Sequence, residues 1–271
     1  MAMKTNRFQT GFVLIISALL LASCGSEKSE SISFTKLTAS KQINCPGDTV
    51  KCFDVDYNVE LPSLSLNDEA EDLIRATLVT DIFGEKYVNL PNNDLLDAYI
   101  TDCESEFNMM STDLDEFASA NFYEERVEAV QTLQDAEHQL LSYEMTRYMY
   151  TGGAHGMGST ICWVFDLENG NQLTEDDIFI ADATDQIIAL LNNALKAYTA
   201  KNNLALSDFF TDQIAPNGNF SITDEGICYL FNPYDIAPYA MGETRLLIGK
   251  ESLRPILRDG TPVYQFYFGD K

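Results

Sequence analysis

Residues 148–165 read YMYTGGAHGMGSTICWVF. Two runs with strand composition flank a loop that holds four glycines and His155, one of two histidines in the chain. The run before the loop alternates from Leu141. Leu141, Tyr143, Met145, Arg147 and Met149 share one face, and Ser142, Glu144, Thr146, Tyr148 and Tyr150 share the other. Neither face is purely polar, so the strand is expected to lie between two layers or beside a groove. After the loop, Ile161, Trp163 and Phe165 share a face of the returning strand. Such a pair predicts antiparallel sheet, and no regular β–α–β alternation surrounds it.

Working outward, Thr49–Leu61 reads as a long strand closed by Pro62. Asn67 is a candidate cap for a helix whose inner face is Ala70, Leu73, Ile74, Thr77 and Leu78. A second helix is expected over 93–109, with Leu96, Tyr99, Ile100, Cys103 and Phe107 inward, and a third over 112–121. Strands are expected over 125–135 and 138–150, with His138 exposed near their turn. Asn169-Gly170 marks a turn. Thr174 and Asp177 have capping-box spacing, and 184–201 is the clearest helix. Residues 220–223 and 226–231 form a hairpin, 245–248 a strand, and 262–268 a last strand. The fold class is α+β: antiparallel sheets with helices packed on one side. Two subdomains are expected, 41–140 and 141–271, the second holding the glycine loop.

The first residues read as a leader. Lys4 and Arg7 precede an apolar run over 12–22, too short for a comfortable membrane span. Leu21-Ala22-Ser23-Cys24 has the lipobox pattern, which predicts a lipid on Cys24 and a bacterial envelope address. Residues 25–40 read as a polar tether. Gly25 after the cysteine favours the outer membrane, on its periplasmic face or at the cell surface. The membrane would be met only through that anchor. The chain carries a formal charge of −25, and removal of Lys4 and Arg7 makes it more negative. Such a field excludes nucleic acid as a general partner and suits a cationic one.

Cys45 and Cys52 flank a Pro-Gly-Asp turn and can clip a hairpin-like entry to the first strand. Cys103, Cys162 and Cys228 lie in apolar patterns and read as buried small hydrophobes. No zinc or iron–sulfur spacing is present, and no cofactor motif is found. The glycine loop lacks both the dinucleotide and the phosphate-loop patterns. Ser159 lies near His155, but the nucleophile-elbow motif is absent. With 42 acidic residues in the chain, a pair of carboxylates carries no information by itself. The candidate partner-binding residues are His155 and Gly153 in the glycine loop, and Tyr234, Asp235 and Tyr239 in the aromatic loop 231–239.

Three motifs stand in order: YTGGAHG at 150–156, FDLENGNQLTEDDIF at 165–179 and FNPYDIAPYAMG at 231–242. Together they resemble the extracellular domain family of lysozyme-sensing anti-sigma factors, which also accompanies certain peptidoglycan deacetylases. The resemblance spans roughly residues 45–257. It implies binding of lysozyme by a surface loop. The chain has no transmembrane or sigma-binding segment by sequence, and it lacks the deacetylase Asp/His pattern. The resulting expectation is a non-enzymatic, lipid-anchored envelope protein that binds a protein or glycan partner, with lysozyme or peptidoglycan foremost. The alternative is a cell-wall glycan hydrolase or another peptidoglycan-modifying enzyme.

Overall fold

The computed structural model describes residues 32–45, 51–63, 69–112, 122–211 and 213–269, with the side chains of 110–112 outside the description. The stretch expected to be a leader, residues 113–121 of the third expected helix and the expected Asn67 cap fall outside the described residues.

Strands β1 (Phe34–Asn44) and β2 (Lys51–Pro62) form an antiparallel hairpin. A Cys45–Cys52 disulfide joins its ends, with the Cα atoms 5.0 Å apart. β1 occupies residues 34–40 of the stretch expected to be a polar tether. Its outward face is Lys36, Thr38, Ser40 and Gln42, so an edge strand with one wet face carried no obvious apolar signal.

Helices α1 (Glu69–Phe83) and α2 (Asn92–Thr112) follow. They carry the chain back so that β3 (Tyr123–Asp135) pairs parallel with β2, the one parallel pairing among the described residues of the sheet. α1 buries Ala70, Ile74, Leu78, Val79 and Ile82, whereas Leu73, expected inward, is 43% exposed. Arg75 is 4% exposed and ties the α1–α2 link. Its guanidinium donates to Asn92 Oδ1 at 3.0 Å, Val88 O at 2.8 Å and Leu90 O at 2.7 Å. Burial lowers its pKa.

β4 (Leu140–Tyr150) and β5 (Met157–Asp166) complete a five-stranded sheet of order β1-β2-β3-β4-β5. The subdomain boundary expected at 140/141 lies at the start of β4, within the paired β3–β4 hairpin, and the chain leaves the large sheet after Asp166. The alternation in β4 holds. Leu141, Tyr143 and Met145 join the core under α1 and α2, while Leu140 joins the second core. At the β3–β4 turn, His138 is less exposed than the sequence suggested, its side chain retaining 11% exposure. Its backbone N–H donates to Asp135 Oδ1 at 2.8 Å, and its ring meets Phe266 edge-on at 6.3 Å.

The C-terminal part adds α3 (Glu175–Ile178), α4 (Thr184–Asn202) and a three-stranded antiparallel sheet. That sheet comprises β6 (Phe220–Thr223), β7 (Gly226–Phe231) and β8 (Thr244–Gly249). The Asp177 carboxylate accepts the Thr174 N–H at 2.8 Å and its hydroxyl at 2.6 Å, as the spacing suggested. α4 lays Ile187, Leu191 and Leu195 against Ile227, Leu246 and Ile248 in the second core. Only glycine fits at 226, where φ is 155° and a Cβ would lie 2.0 Å from Ile248 O. The Ile222 N–H donates to Ser142 Oγ at 3.2 Å, so the small sheet abuts the reverse face of the large one.

After α5 (Lys250–Leu253), residues 262–268 form helix α6 (Pro262–Phe268), not the expected strand. Thr261 accepts the Tyr264 N–H and Pro262 opens the first turn, two helix-start signals that outweigh aromatic strand propensity. Among the described residues no helix is long and apolar enough to cross a membrane.

Candidate functional site

The glycine loop, 151–156, closes the β4–β5 hairpin, whose register sets Met149 opposite Met157. Gly152 and Gly153 have φ of 99° and 100°, which bends the tip without strain. The Tyr150 hydroxyl donates to the Gly153 carbonyl at 3.0 Å. At Gly156 a Cβ would lie 2.3 Å from the Tyr148 hydroxyl oxygen, so any larger residue there would have to displace the Tyr148 ring.

The aromatic loop joins β7 to β8. Asp235 accepts the Asn232 N–H at 2.7 Å and returns its own N–H to Asn232 O at 3.0 Å. The Tyr234 N–H reaches Ala237 O at 3.0 Å while Tyr234 itself takes φ of 75°. A short 3₁₀ turn, Tyr239–Met241, follows Pro238. These bonds and the two fixed proline φ angles leave the loop little freedom.

The two loops meet. The His155 ring stacks on Tyr239 with centroids 4.2 Å apart and planes at 21°. Tyr239 donates its hydroxyl to Gly156 O at 2.8 Å, and Tyr234 lies 5.7 Å beyond it at 30°. His155, Tyr239 and Tyr234 thus form a row of three rings, with His155 exposed and Tyr234 49% exposed. Of the five candidates, these three come together as a surface. Gly153 and Asp235 shape the loops that carry them.

Sequence reasoning missed what holds the aromatic loop to the large sheet. β5 is an edge strand, and its outward backbone groups need partners. Asn232 supplies a carboxamide: Oδ1 accepts the Thr160 N–H at 2.7 Å and Nδ2 donates to Thr160 O at 3.0 Å. Asn219 does the same one step along, accepting the Cys162 N–H at 2.8 Å and donating to Thr160 O at 2.9 Å. Asparagines in turns gave no sign of this, because their partners lie 57 to 72 residues away.

An ion-pair network lies beside them. Arg245 on β8 makes two bonds of 2.8 Å to Glu144 on β4, and a third of 2.7 Å to Glu243. Thr160 Oγ1 donates to the other Glu243 oxygen at 2.9 Å. Hydrogen bonding to Glu144 holds the Arg245 pKa above its usual value. The Cys162 thiol is pushed up to about 12 by burial and by Glu144, so it stays protonated at neutral pH and is no nucleophile. Among the described residues no hydrogen bond joins His155 to Ser159, and His155 Nδ1 lies 2.9 Å from Gly156 O instead.

Glu125 is fully buried in the large sheet, where it accepts the Tyr57 hydroxyl at 2.6 Å and that of Tyr123 at 3.0 Å. Arg147 Nε lies 3.2 Å from its other oxygen. Burial, and then the Glu125 charge, raises the Tyr57 and Tyr99 phenol pKa values. This is a paired core charge, enclosed rather than presented. No group of three or more His, Cys, Asp or Glu among the described residues is placed to hold a metal ion.

The aromatic loop, Asn219 and Arg245 all fall within one recognisable segment. Residues 176–251 match DUF3298, a family described as proteins of unknown function. The fold agrees with that match. A DUF3298 family member from Bacteroides fragilis superposes with a TM-score of 0.77 at 25% identity, over 90% of this chain and 100% of that one. A DUF3298 family protein from Pseudomonas aeruginosa superposes with a TM-score of 0.62 at 18% identity, over 85% of this chain and 96% of that one, and shows the shared fold. No curated protein matches the chain. The DUF3298 segment starts in α3 and ends in α5. The glycine loop, supplied by the preceding sheet, completes the ring row from outside it.

Proposed function

We infer that this chain is a non-enzymatic, lipid-anchored envelope protein that binds a cationic protein partner through the ring row His155–Tyr239–Tyr234, a lysozyme-type hydrolase being the partner that fits. The observation that carries the reading is the rigid joining of two loops to present adjacent aromatic rings at the surface. Aromatic anchors of this kind offer large contact area at low entropic cost. The formal charge of −25 complements a basic partner and would steer its approach. The anchor rests on the lipobox ending at Cys24. The resemblance to lysozyme-sensing domains points the same way.

The hydrolase alternative has less support. A cleft of about 680 Å³ lies beside β5, lined by Ile161, Trp163, Asn219, Asn232 and Asp235 among others. Among the described residues lining it, Asp235 is the single carboxylate. Glycoside hydrolysis ordinarily needs two across the scissile bond.

Titration of residues 25–271 with a basic lysozyme, by calorimetry at two salt concentrations, tests the reading. Saturable 1:1 binding that survives the higher salt is expected. Heat confined to low salt would mean charge attraction alone and would remove the aromatic site from the account.

A further inference from the structure

The cleft beside β5 has a chemistry of its own. One wall is the strand itself at Ile161–Trp163, and the opposite wall is formed by residues 215–219 and 231–236. An extended peptide would ordinarily be the natural guest of an open strand edge, pairing with its backbone. Here that pairing is blocked. The Thr160 N–H and carbonyl, and the Cys162 N–H, are already bonded to the carboxamides of Asn232 and Asn219. Anionic ligands are disfavoured too, since no Lys, Arg or His lines the cleft and Asp235 does.

What remains on offer is neutral and polar. Gln172 is exposed, and its carboxamide makes no hydrogen bond to another described residue. Asp235 commits one oxygen to the Asn232 N–H at 2.7 Å and keeps the other as an acceptor. Ile161, 39% exposed, supplies an apolar wall. The volume of about 680 Å³ falls within the usual range for small-ligand sites. Hydroxyl groups suit the free carboxylate oxygen, an amide suits the Gln172 carboxamide, and a methyl or the C–H face of a sugar ring suits Ile161. We propose that the cleft is a binding site for a short neutral saccharide bearing acetamido groups, distinct from the ring row that meets the protein partner.

The probe is the β-1,4-linked tetramer of N-acetylglucosamine, titrated into residues 25–271 and followed by NMR, with the corresponding glucose tetramer as comparison. Saturable binding of the acetylated tetramer is expected, weakened about tenfold by Gln172→Ala. Ala215→Trp places a bulky group in the cleft from an exposed position, away from the core, and should abolish binding in a protein whose melting temperature is unchanged. None of the His155, Tyr234 and Tyr239 rings belongs to the cleft lining, so the saccharide titration does not read the protein-binding face. Failure of the protein-binding reading therefore leaves this one standing, and the reverse also holds. The proposal is overturned by no saturation up to about 10 mM ligand, a concentration that would detect even millimolar affinity. Equal affinity for the glucose tetramer, or unchanged binding by Ala215→Trp, overturns it as well.

Discussion

Replacing Asn232 by alanine tests the link between the strand edge and the aromatic loop. The substitution removes two bonds to Thr160, whose residue is 2% exposed. The two losses are unequal. Thr160 O keeps the Asn219 Nδ2 donor at 2.9 Å, so it remains satisfied. The Thr160 N–H loses its only described acceptor. Leaving one buried donor unsatisfied costs about 1–3 kcal/mol, more than the net worth of an ordinary bond. For a domain of this size that corresponds to a fall of roughly 2–12 °C in melting temperature, measured by circular dichroism at fixed scan rate. Asn232→Asp separates the roles further: it keeps the acceptor for Thr160 N–H but sets a negative charge against Thr160 O, so its loss is of the same sign. Because Asn232 also begins the turn that seats Tyr234 and Tyr239, partner affinity should fall with stability. An Asn232→Ala protein that melts within a degree of wild type and binds normally would refute the claim that this carboxamide docks the loop.

Other consequences follow from groups away from the surface. Glu125→Ala removes the charge that Tyr57, Tyr123 and Arg147 surround, leaving Arg147 without its buried partner. A loss of about 3–5 kcal/mol is expected in urea unfolding, the range for breaking a buried ion pair from one side. Asp177 gives a pH dependence: hydrogen bonds from Thr174 lower its folded pKa. A depressed carboxylate adds stability above its unfolded pKa, and that contribution is lost as pH falls through the folded value. The Asp177→Asn variant should therefore lose less stability than wild type between pH 7 and pH 3 in matched urea melts; identical losses would show that the cap carries no linkage.

The elements with strong periodicity were legible in the chain. α4 and the β4 alternation came directly from spacing, because α4 buries one helical face and β4 sends alternate residues to opposite cores. The Thr174–Asp177 cap and the Cys45–Cys52 clip were readable because both partners are near in sequence. β1 was hidden by the polar residues of a wet edge strand, and α6 by aromatics that suit strands equally well. β4, where the subdomain boundary was expected, feeds both cores, so its two-sided pattern marks a seam without saying which sheet owns it. At the candidate site the glycine and tyrosine loops were visible as motifs. Their contact was not, since stacking of His155 on Tyr239 joins residues 84 apart in sequence and depends on how the two sheets abut. The Glu144–Arg245 pair was unreadable for the same reason, one acid among 42 finding one arginine across the seam.

The most direct measurement is the affinity of a basic lysozyme for wild type, Tyr234→Ala and Tyr239→Ala, read side by side by calorimetry with folding checked by melting temperature. Tyr234 is the cleaner probe, because its ring is exposed and its removal costs the fold little. If the ring row is the binding face, each variant should weaken binding by about 2 kcal/mol or more, the scale of an aromatic hot spot. That is roughly 30-fold in Kd. Wild-type affinity in a folded Tyr234→Ala protein, or no binding by wild type, would contradict the account.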